Sequence, residues 1–260
     1  MSFVKDRIVF ITGATGGLGK EMVKQFAAEG AKLIITDTKK ENLDHLNETI
    51  YSKESILHSF VADLSSNEGC NQAYLEIKNK SLNIDFIINN AGVASIGPFI
   101  TTPQNDWELQ YSLNLLAPVR LTKLFLPDFL QRGSGHIVFI ASVASYVPAV
   151  GLSTYSSTKH GLRAFGESLY EELKNKNIKV SNLYPFFTKT PMMDSPQYGY
   201  TEKKAIPDFL MSTPEDVISD LIKGIKGDEL HIFPGLLSRT SEFISRYIPQ
   251  GLNFFLQYLK

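Results

Sequence analysis

Short apolar runs alternate with helical patterns along most of the chain, and this alternation limits the fold more than any other feature. The first run, residues 7–12 (RIVFIT), is β-branched and has no polar alternation, the pattern of a strand buried on both faces. A glycine-rich turn, GATGGLG, follows it. A helical pattern then runs over residues 17–29 until Gly30 stops it. The plan repeats. Strand-like runs occur at AKLIITD, ILHSFVAD, IDFIINNAG, GHIVFIAS, NIKVSNLYP and LHIFP. Between them, helical patterns cover about 40–53, 67–80, 107–130 and 153–174. Thr213-Pro-Glu-Asp reads as a capped helix start. Pro118 predicts a kink or break in the 107–130 pattern. Strands and helices at this spacing predict right-handed β-α-β units. The expected fold is α/β: a doubly wound, parallel, seven-stranded sheet in three α/β/α layers, as a single domain.

Composition narrows the function classes. A chain of 260 residues suits one large domain. The net charge of −1 lacks the basic footprint of a nucleic-acid binder. The single cysteine, Cys70, has no internal disulfide partner and reads as a packing residue in a reducing, cytoplasmic setting. The five histidines show no ligand spacing, so no metal site is expected. The N-terminus has charges inside a short apolar run, unlike a signal peptide, and no run approaches the ~18 residues of a membrane span.

Ligands of doubly wound sheets bind beyond the carboxyl ends of strands, and the chemistry-bearing residues fall just there. In Thr12-Gly-Ala-Thr-Gly-Gly-Leu-Gly19, glycines permit a tight turn and close approach of a pyrophosphate at a helix N-terminus. Asp37 follows the second strand and can bind both ribose hydroxyls of NAD(H) while repelling a 2′-phosphate; Lys39 and Lys40 are the argument for NADP(H). Asp63 ends the third strand, where it can accept from an adenine amino group or serve as a turn acid. Asn89-Asn90-Ala91-Gly92 ends the fourth. Ser142 closes the fifth, 13 residues before Tyr155. Tyr155 and Lys159 are four apart, hence on one helix face, where an ammonium would lower the phenol pKa.

Taken in order, these motifs resemble the short-chain dehydrogenase/reductase family over roughly residues 5–235. The matching positions are Thr12, Gly13, Gly17 and Gly19; Asn89 to Gly92; Asn114; Ser142; Tyr155 and Lys159; and Pro185 with Thr190. The resemblance implies a Rossmann-like fold and hydride exchange between NAD(H), or alternatively NADP(H), and a secondary alcohol or ketone. It implies Tyr155 as general acid/base, Ser142 polarising the carbonyl, Lys159 lowering the tyrosine pKa and binding ribose, and Asn114 holding a water in the proton path. It assigns the cofactor to Gly13, Thr15, Gly17, Leu18, Gly19, Asp37, Asp63, Leu64, Asn90, Ala91, Gly92, Tyr155, Lys159, Pro185 and Thr190. Phe186 stands where the family has glycine, which predicts an altered backbone path there.

Residues 1–235 thus read as the cofactor-binding catalytic domain, with an irregular substrate lid at about 186–212. Ser142, Val143, Phe186, Phe187 and Met192 are the substrate candidates, and Tyr146, Tyr198, Tyr200 and Phe209 add to a lipophilic lining. Residues 236–260 read as an amphipathic helical tail, for packing or dimerisation first, a flap over the substrate cleft next and membrane contact last. The family implies a homodimer or homotetramer with a small-molecule substrate and no nucleic acid. A 3-oxoacyl-type NADPH reductase is the alternative activity. A nucleotide-sensing scaffold without turnover is the alternative of another class.

Overall fold

The computed structural model describes residues 2–50, 53–199 and 207–247. Seven parallel strands form one sheet in the order β3-β2-β1-β4-β5-β6-β7. They are β1 (Ile8–Thr12), β2 (Lys32–Asp37), β3 (Ile56–Val61), β4 (Phe86–Asn89), β5 (Gly135–Ile140), β6 (Ile178–Leu183) and β7 (His231–Ile232). The helices are α1 (Gly17–Ala28), α2 (Lys40–Thr49), α3 (Asn67–Asn79), α4 (Gln104–Tyr111), α5 (Ala117–Arg132), α6 (Ser153–Leu173), α7 (Pro214–Lys226) and α8 (Gly235–Tyr247). The expected doubly wound sheet is therefore observed.

Successive strand residues point to opposite faces, so each run feeds two cores. Val9, Ile11, Leu33 and Ile35 pack with Met22 and Phe26 of α1 and Leu221 of α7. Phe10, Ile34 and Ile87 pack on the other face with Phe125 and Phe129 of α5 and Leu162 of α6. Apolar burial on both faces is why these strands read as unbroken apolar runs. β1 lies between β2 and β4, so the strand order reverses at the β1/β4 boundary and leaves a crevice at their carboxyl ends.

Several boundaries differ from expectation. The 107–130 pattern resolves into α4, a π-helical segment Ser112–Leu116, and α5. Pro118 sits in the first turn of α5, directly after the π-helical segment, and the helix runs on through it. Pro127 lies inside α5 without ending it. The helix α2 stops at Thr49, short of residue 53. Among the described residues, the stretch after β6 contains two 3-10 turns, Pro191–Asp194 and Asp208–Leu210, and is tied by isolated bridges Thr188–Ser212 and Ile96–Gln197. Tyr200 and the tail beyond Tyr247, including Ile248, Leu252, Phe255, Leu256 and Leu259, lie outside the described residues. Among the described residues, no helix is long and apolar enough to cross a membrane.

Candidate active site

The glycine turn after β1 and the asparagine turn after β4 are locked together. The Thr12 hydroxyl accepts from the N–H groups of Asn90 and Ala91, both at 3.0 Å. The Asn90 amide donates to the Thr12 and Gly13 carbonyls, both at 2.9 Å. Gly13 has φ +62°, and a Cβ there would sit 2.8 Å from the Ala91 Cα. A Cβ on Gly19 would lie 2.1 Å from the Gly13 carbonyl oxygen. Glycine is thus dictated by backbone crowding at both positions. Gly16 precedes α1 without a side-chain cap, so no side chain occupies the N–H groups of the first turn. That uncapped N-terminus beside the β1/β4 crevice fits the pyrophosphate of a dinucleotide.

Asp37 closes the same turn from β2. Its Oδ2 accepts from the Thr15 N–H at 2.9 Å and the Thr15 hydroxyl at 2.8 Å. Its Oδ1 accepts from the Thr38 N–H at 2.7 Å. The carboxylate is oriented by the glycine loop and keeps acceptor capacity on Oδ1. Lys40 is engaged elsewhere, donating to Asp44 at 2.6 Å on an exposed turn of α2. This weakens the argument that Lys40 awaits a phosphate. Asp63 is exposed and accepts from the Ser65 N–H at 2.9 Å, the turn-acid geometry. Leu64 is buried in the core, so a ligand can meet only its backbone. Cys70 is buried beside it, and burial pushes its thiol up to about 11, which suits packing rather than nucleophilic attack.

At the carboxyl end of β5, Ser142 and Tyr155 come together. Burial raises the Tyr155 pKa above the ordinary phenol value, and a hydrogen bond with the Ser142 side chain opposes that rise. Lys159 lies one turn along α6, its Nζ 5.7 Å from the centre of the Tyr155 ring. Lys159 is buried and donates to the Ile140 carbonyl at 2.8 Å. Burial lowers its pKa to about 8. The expected depression of the Tyr155 pKa is therefore absent from the chain alone. Desolvation of the phenol prevails, and the lysine faces a backbone carbonyl in a site that disfavours its own charge.

Asn114 occupies the π-helical segment and is buried. Its Oδ1 accepts from the Val93 N–H at 2.8 Å, and its Nδ2 donates to the Val93 carbonyl at 2.9 Å and to the Thr158 hydroxyl at 3.3 Å. Asn114 ties the asparagine turn to α6. Both N–H groups of its side-chain amide are engaged in that work.

The residues read from sequence as substrate candidates are mostly apolar. Val143 is buried, and its N–H donates to the Pro185 carbonyl at 3.0 Å. Phe186 is half-buried against Phe187, ring centres 4.9 Å apart, while Phe187 and Met192 are exposed. Phe186 is not among the residues at positive φ, so the backbone here does not require glycine. Thr190 packs on the glycine loop, since a Cβ on Gly17 would come within 2.5 Å of its side chain.

Tyr146, expected in the cleft lining, is part of a packed cluster. Its ring lies 5.0 Å from Tyr184 and 3.7 Å below the Arg163 guanidinium. Sequence reasoning missed this Arg163 cluster. Arg163 also donates to Glu167 at 2.7 Å and to the Ser145 carbonyl at 3.4 Å, while the Ser145 hydroxyl donates to the Lys159 carbonyl at 2.8 Å. Ser145 and Arg163 thus clip the serine turn, Val143–Ser145, onto the helix bearing Tyr155. The only hint in sequence was the four-residue step from Lys159 to Arg163.

Comparison with known proteins agrees with this geometry. The pattern of the short chain dehydrogenases matches residues 7–199. The 3-oxoacyl-(acyl-carrier-protein) reductase FabG of Aquifex aeolicus is 31% identical over 243 residues, covering 90% of this chain and 98% of the relative. A short-chain dehydrogenase from Sphingobium yanoikuyae, solved with NADPH, superposes with TM-score 0.81 at 26% identity, covering 95% and 94% of the two chains. The bulky-bulky ketone specific alcohol dehydrogenase from Comamonas testosteroni gives TM-score 0.77 at 25% identity, covering 95% and 93%. With its glycine loop, its Ser142–Tyr155 pair and Lys159 arranged at the carboxyl ends of a parallel sheet, the chain belongs to the short-chain dehydrogenase family, a family of NAD(P)-dependent oxidoreductases.

Proposed function

We propose that this protein exchanges hydride between NAD(H), in preference to NADP(H), and a lipophilic secondary alcohol or ketone. The observation that carries the reading is the pairing of the Ser142 side chain with the Tyr155 phenol, one helical turn from Lys159. When bound, the dinucleotide supplies or accepts the hydride at its nicotinamide ring. Gly13, Gly17, Gly19, Asn90 and Ala91 shape the bed for its phosphates. Pro185 and Thr190 would border its nicotinamide end, and Asp63 with the Leu64 backbone would hold its adenine.

In the direction of reduction, Tyr155 gives its proton to the carbonyl oxygen as the carbonyl carbon gains hydride. In oxidation it takes the proton back. The Ser142 hydroxyl donates to the same oxygen and stabilises charge that develops there. Burial keeps the resting phenol protonated, the form that reduction consumes. Once that proton leaves, a protonated Lys159 close by favours the phenolate. Asn114 fixes the turn that borders this path.

Preference for NAD(H) rests on Asp37, whose charge would oppose a 2′-phosphate, and on Lys40 being paired with Asp44. An NADPH-dependent 3-oxoacyl-type reduction is the second reading, favoured by likeness to FabG and to a structure solved with NADPH. Competing NADH and NADPH titrations, followed by nicotinamide fluorescence, decide between them. Tighter NADPH binding would overturn the role given to Asp37. Phe186, Phe187 and Met192 support an apolar substrate, with residues 186–212 as the covering element. A screen of ketones graded by apolar chain length tests this, and turnover that ignores chain length would refute it. Leu109, Leu116 and Leu130 remain exposed on and between α4 and α5, which supports a homodimer or homotetramer through that side.

A further inference from the structure

The helix α8 has two unlike faces. Ser238 is buried beneath it and donates to the Tyr184 carbonyl, and α8 packs against α7 and the serine turn. Leu236, Arg239, Thr240, Phe243, Arg246 and Tyr247 are exposed. Their spacing places them in one stripe along the outer side of the helix. Leu236 is 75% exposed, Phe243 54% and Tyr247 61%, with the two aromatic rings 4.9 Å apart. Large apolar side chains grouped on a helix surface mark a contact with something outside the chain.

Charge indicates what that contact is. The stripe carries two arginines and no acid. The one acid of α8, Glu242, is turned inward, with 19% of its side chain exposed, and reaches back to Arg246 at 3.6 Å. Residues 248–260 also contain no acid and include Lys260, in a chain whose net charge is −1. A second copy docked on this stripe about a two-fold axis would bring like patch to like patch and arginine towards arginine. An anionic lipid surface meets both needs, with acyl chains for the apolar groups and phosphates for the guanidinium groups.

We propose that the outer face of α8 docks on an anionic lipid bilayer. Because α8 packs beside the serine turn and over Tyr184, docking would hold the carboxyl end of the sheet close to the membrane. The proposal stands on α8 and on the sequence of residues 248–260, and does not depend on which substrate or cofactor is used.

The test is flotation of the full chain with phosphatidylcholine vesicles, with or without phosphatidylglycerol. Flotation is expected with the anionic vesicles and not with the neutral ones. Arg239→Gln and Arg246→Gln should each lower the bound fraction by roughly fivefold, and Leu236→Ser combined with Phe243→Ser should abolish it. Circular dichroism and light scattering check that each variant keeps its fold and oligomeric state; the single arginine changes, at exposed positions, keep the test open if the double variant misfolds. Failure of the intact protein to float with anionic vesicles would overturn the proposal. So would binding that none of these variants alters, or an oligomer that the double variant dissociates while vesicles never bind.

Discussion

The turn after β1 and the stretch after β6 meet across one cleft, with Thr190 against Gly17, yet they are built by different means. The first is held by backbone. Four hydrogen bonds join Thr12, Gly13, Asn90 and Ala91, and added Cβ atoms at Gly13 or Gly19 have nowhere to go. The second is made of side chains. Phe186, Phe187 and Met192 lie half-buried or exposed, and two isolated bridges tie the segment down. A site made of backbone tolerates almost no change, because a crowded carbonyl cannot move without its strand. A site made of apolar side chains can exchange one for another and alter only what it accepts. On the function proposed above, the cofactor side is therefore fixed by backbone, and the substrate side by side chains that can be exchanged.

The largest expected effect comes from the chemistry between them. Tyr155→Phe keeps the ring and removes the proton. Turnover of the best ketone substrate should fall about 10³-fold, within the range of lost acid/base catalysis. Dinucleotide affinity, read by fluorescence, should stay within about twofold. Retained turnover would disprove the role of Tyr155, and comparable loss of cofactor binding would show a structural defect instead.

Gly19→Ala and Phe186→Gly set the two regions against each other directly. The Gly19 change forces a methyl into the Gly13 carbonyl and should cost about 3 kcal/mol in urea unfolding. The Phe186 change should cost about 1 kcal/mol or less, since the position is half-buried and needs no special φ. Equal costs would break the comparison.

The sheet beneath both regions can be probed through pH. His136 on β5 is buried against Ser181 and Phe86, and burial lowers its pKa to about 4. Below pH 6.5 the unfolded chain takes up a proton that the folded chain refuses until about pH 4. Stability is therefore lost as pH falls through that window, by about 3 kcal/mol in all. Unfolding measured at pH 7 and pH 4.5 should show a smaller drop for His136→Gln than for the natural sequence. Equal drops would mean that His136 is not the group responsible.

Smaller effects test the clip on the serine turn and the apolar cleft. Arg163→Met should lower kcat about tenfold and move the Tyr155 limb of the pH profile upward, because a loosened turn takes Ser142 from the phenol. A loss of thermal stability with an unmoved pH profile would assign Arg163 a purely structural role. Phe187→Ser should raise KM for long-chain ketones roughly fivefold and leave short ones unchanged, in line with burial of part of one aromatic ring. A uniform change across chain length would place Phe187 outside the substrate path.

Much of the fold was legible before any coordinates, because the signals were local. Apolar runs, helix periods, Gly30 as a stop and Thr213 as a cap act within a few residues of themselves. The glycine and asparagine turns were legible for the same reason: their residue types answer to backbone geometry. Boundaries were less so. Pro118 looked like a kink or break in one helix, and the helix runs on through it by way of a π-helical segment.

By itself the sequence determined the strand order of motifs, the family, and the set of residues that could carry chemistry. Only the tertiary structure decided how those residues are tuned. Asp37 is oriented by Thr15, from another strand's turn. Tyr155 is pushed up by burial rather than down by Lys159, whose ammonium turns to Ile140. Tyr146 is packed against Arg163 and Tyr184. Each of these depends on distance and on exclusion of water between residues far apart in the chain. Both arise only when separate elements pack, which is why no local pattern in the sequence encodes them.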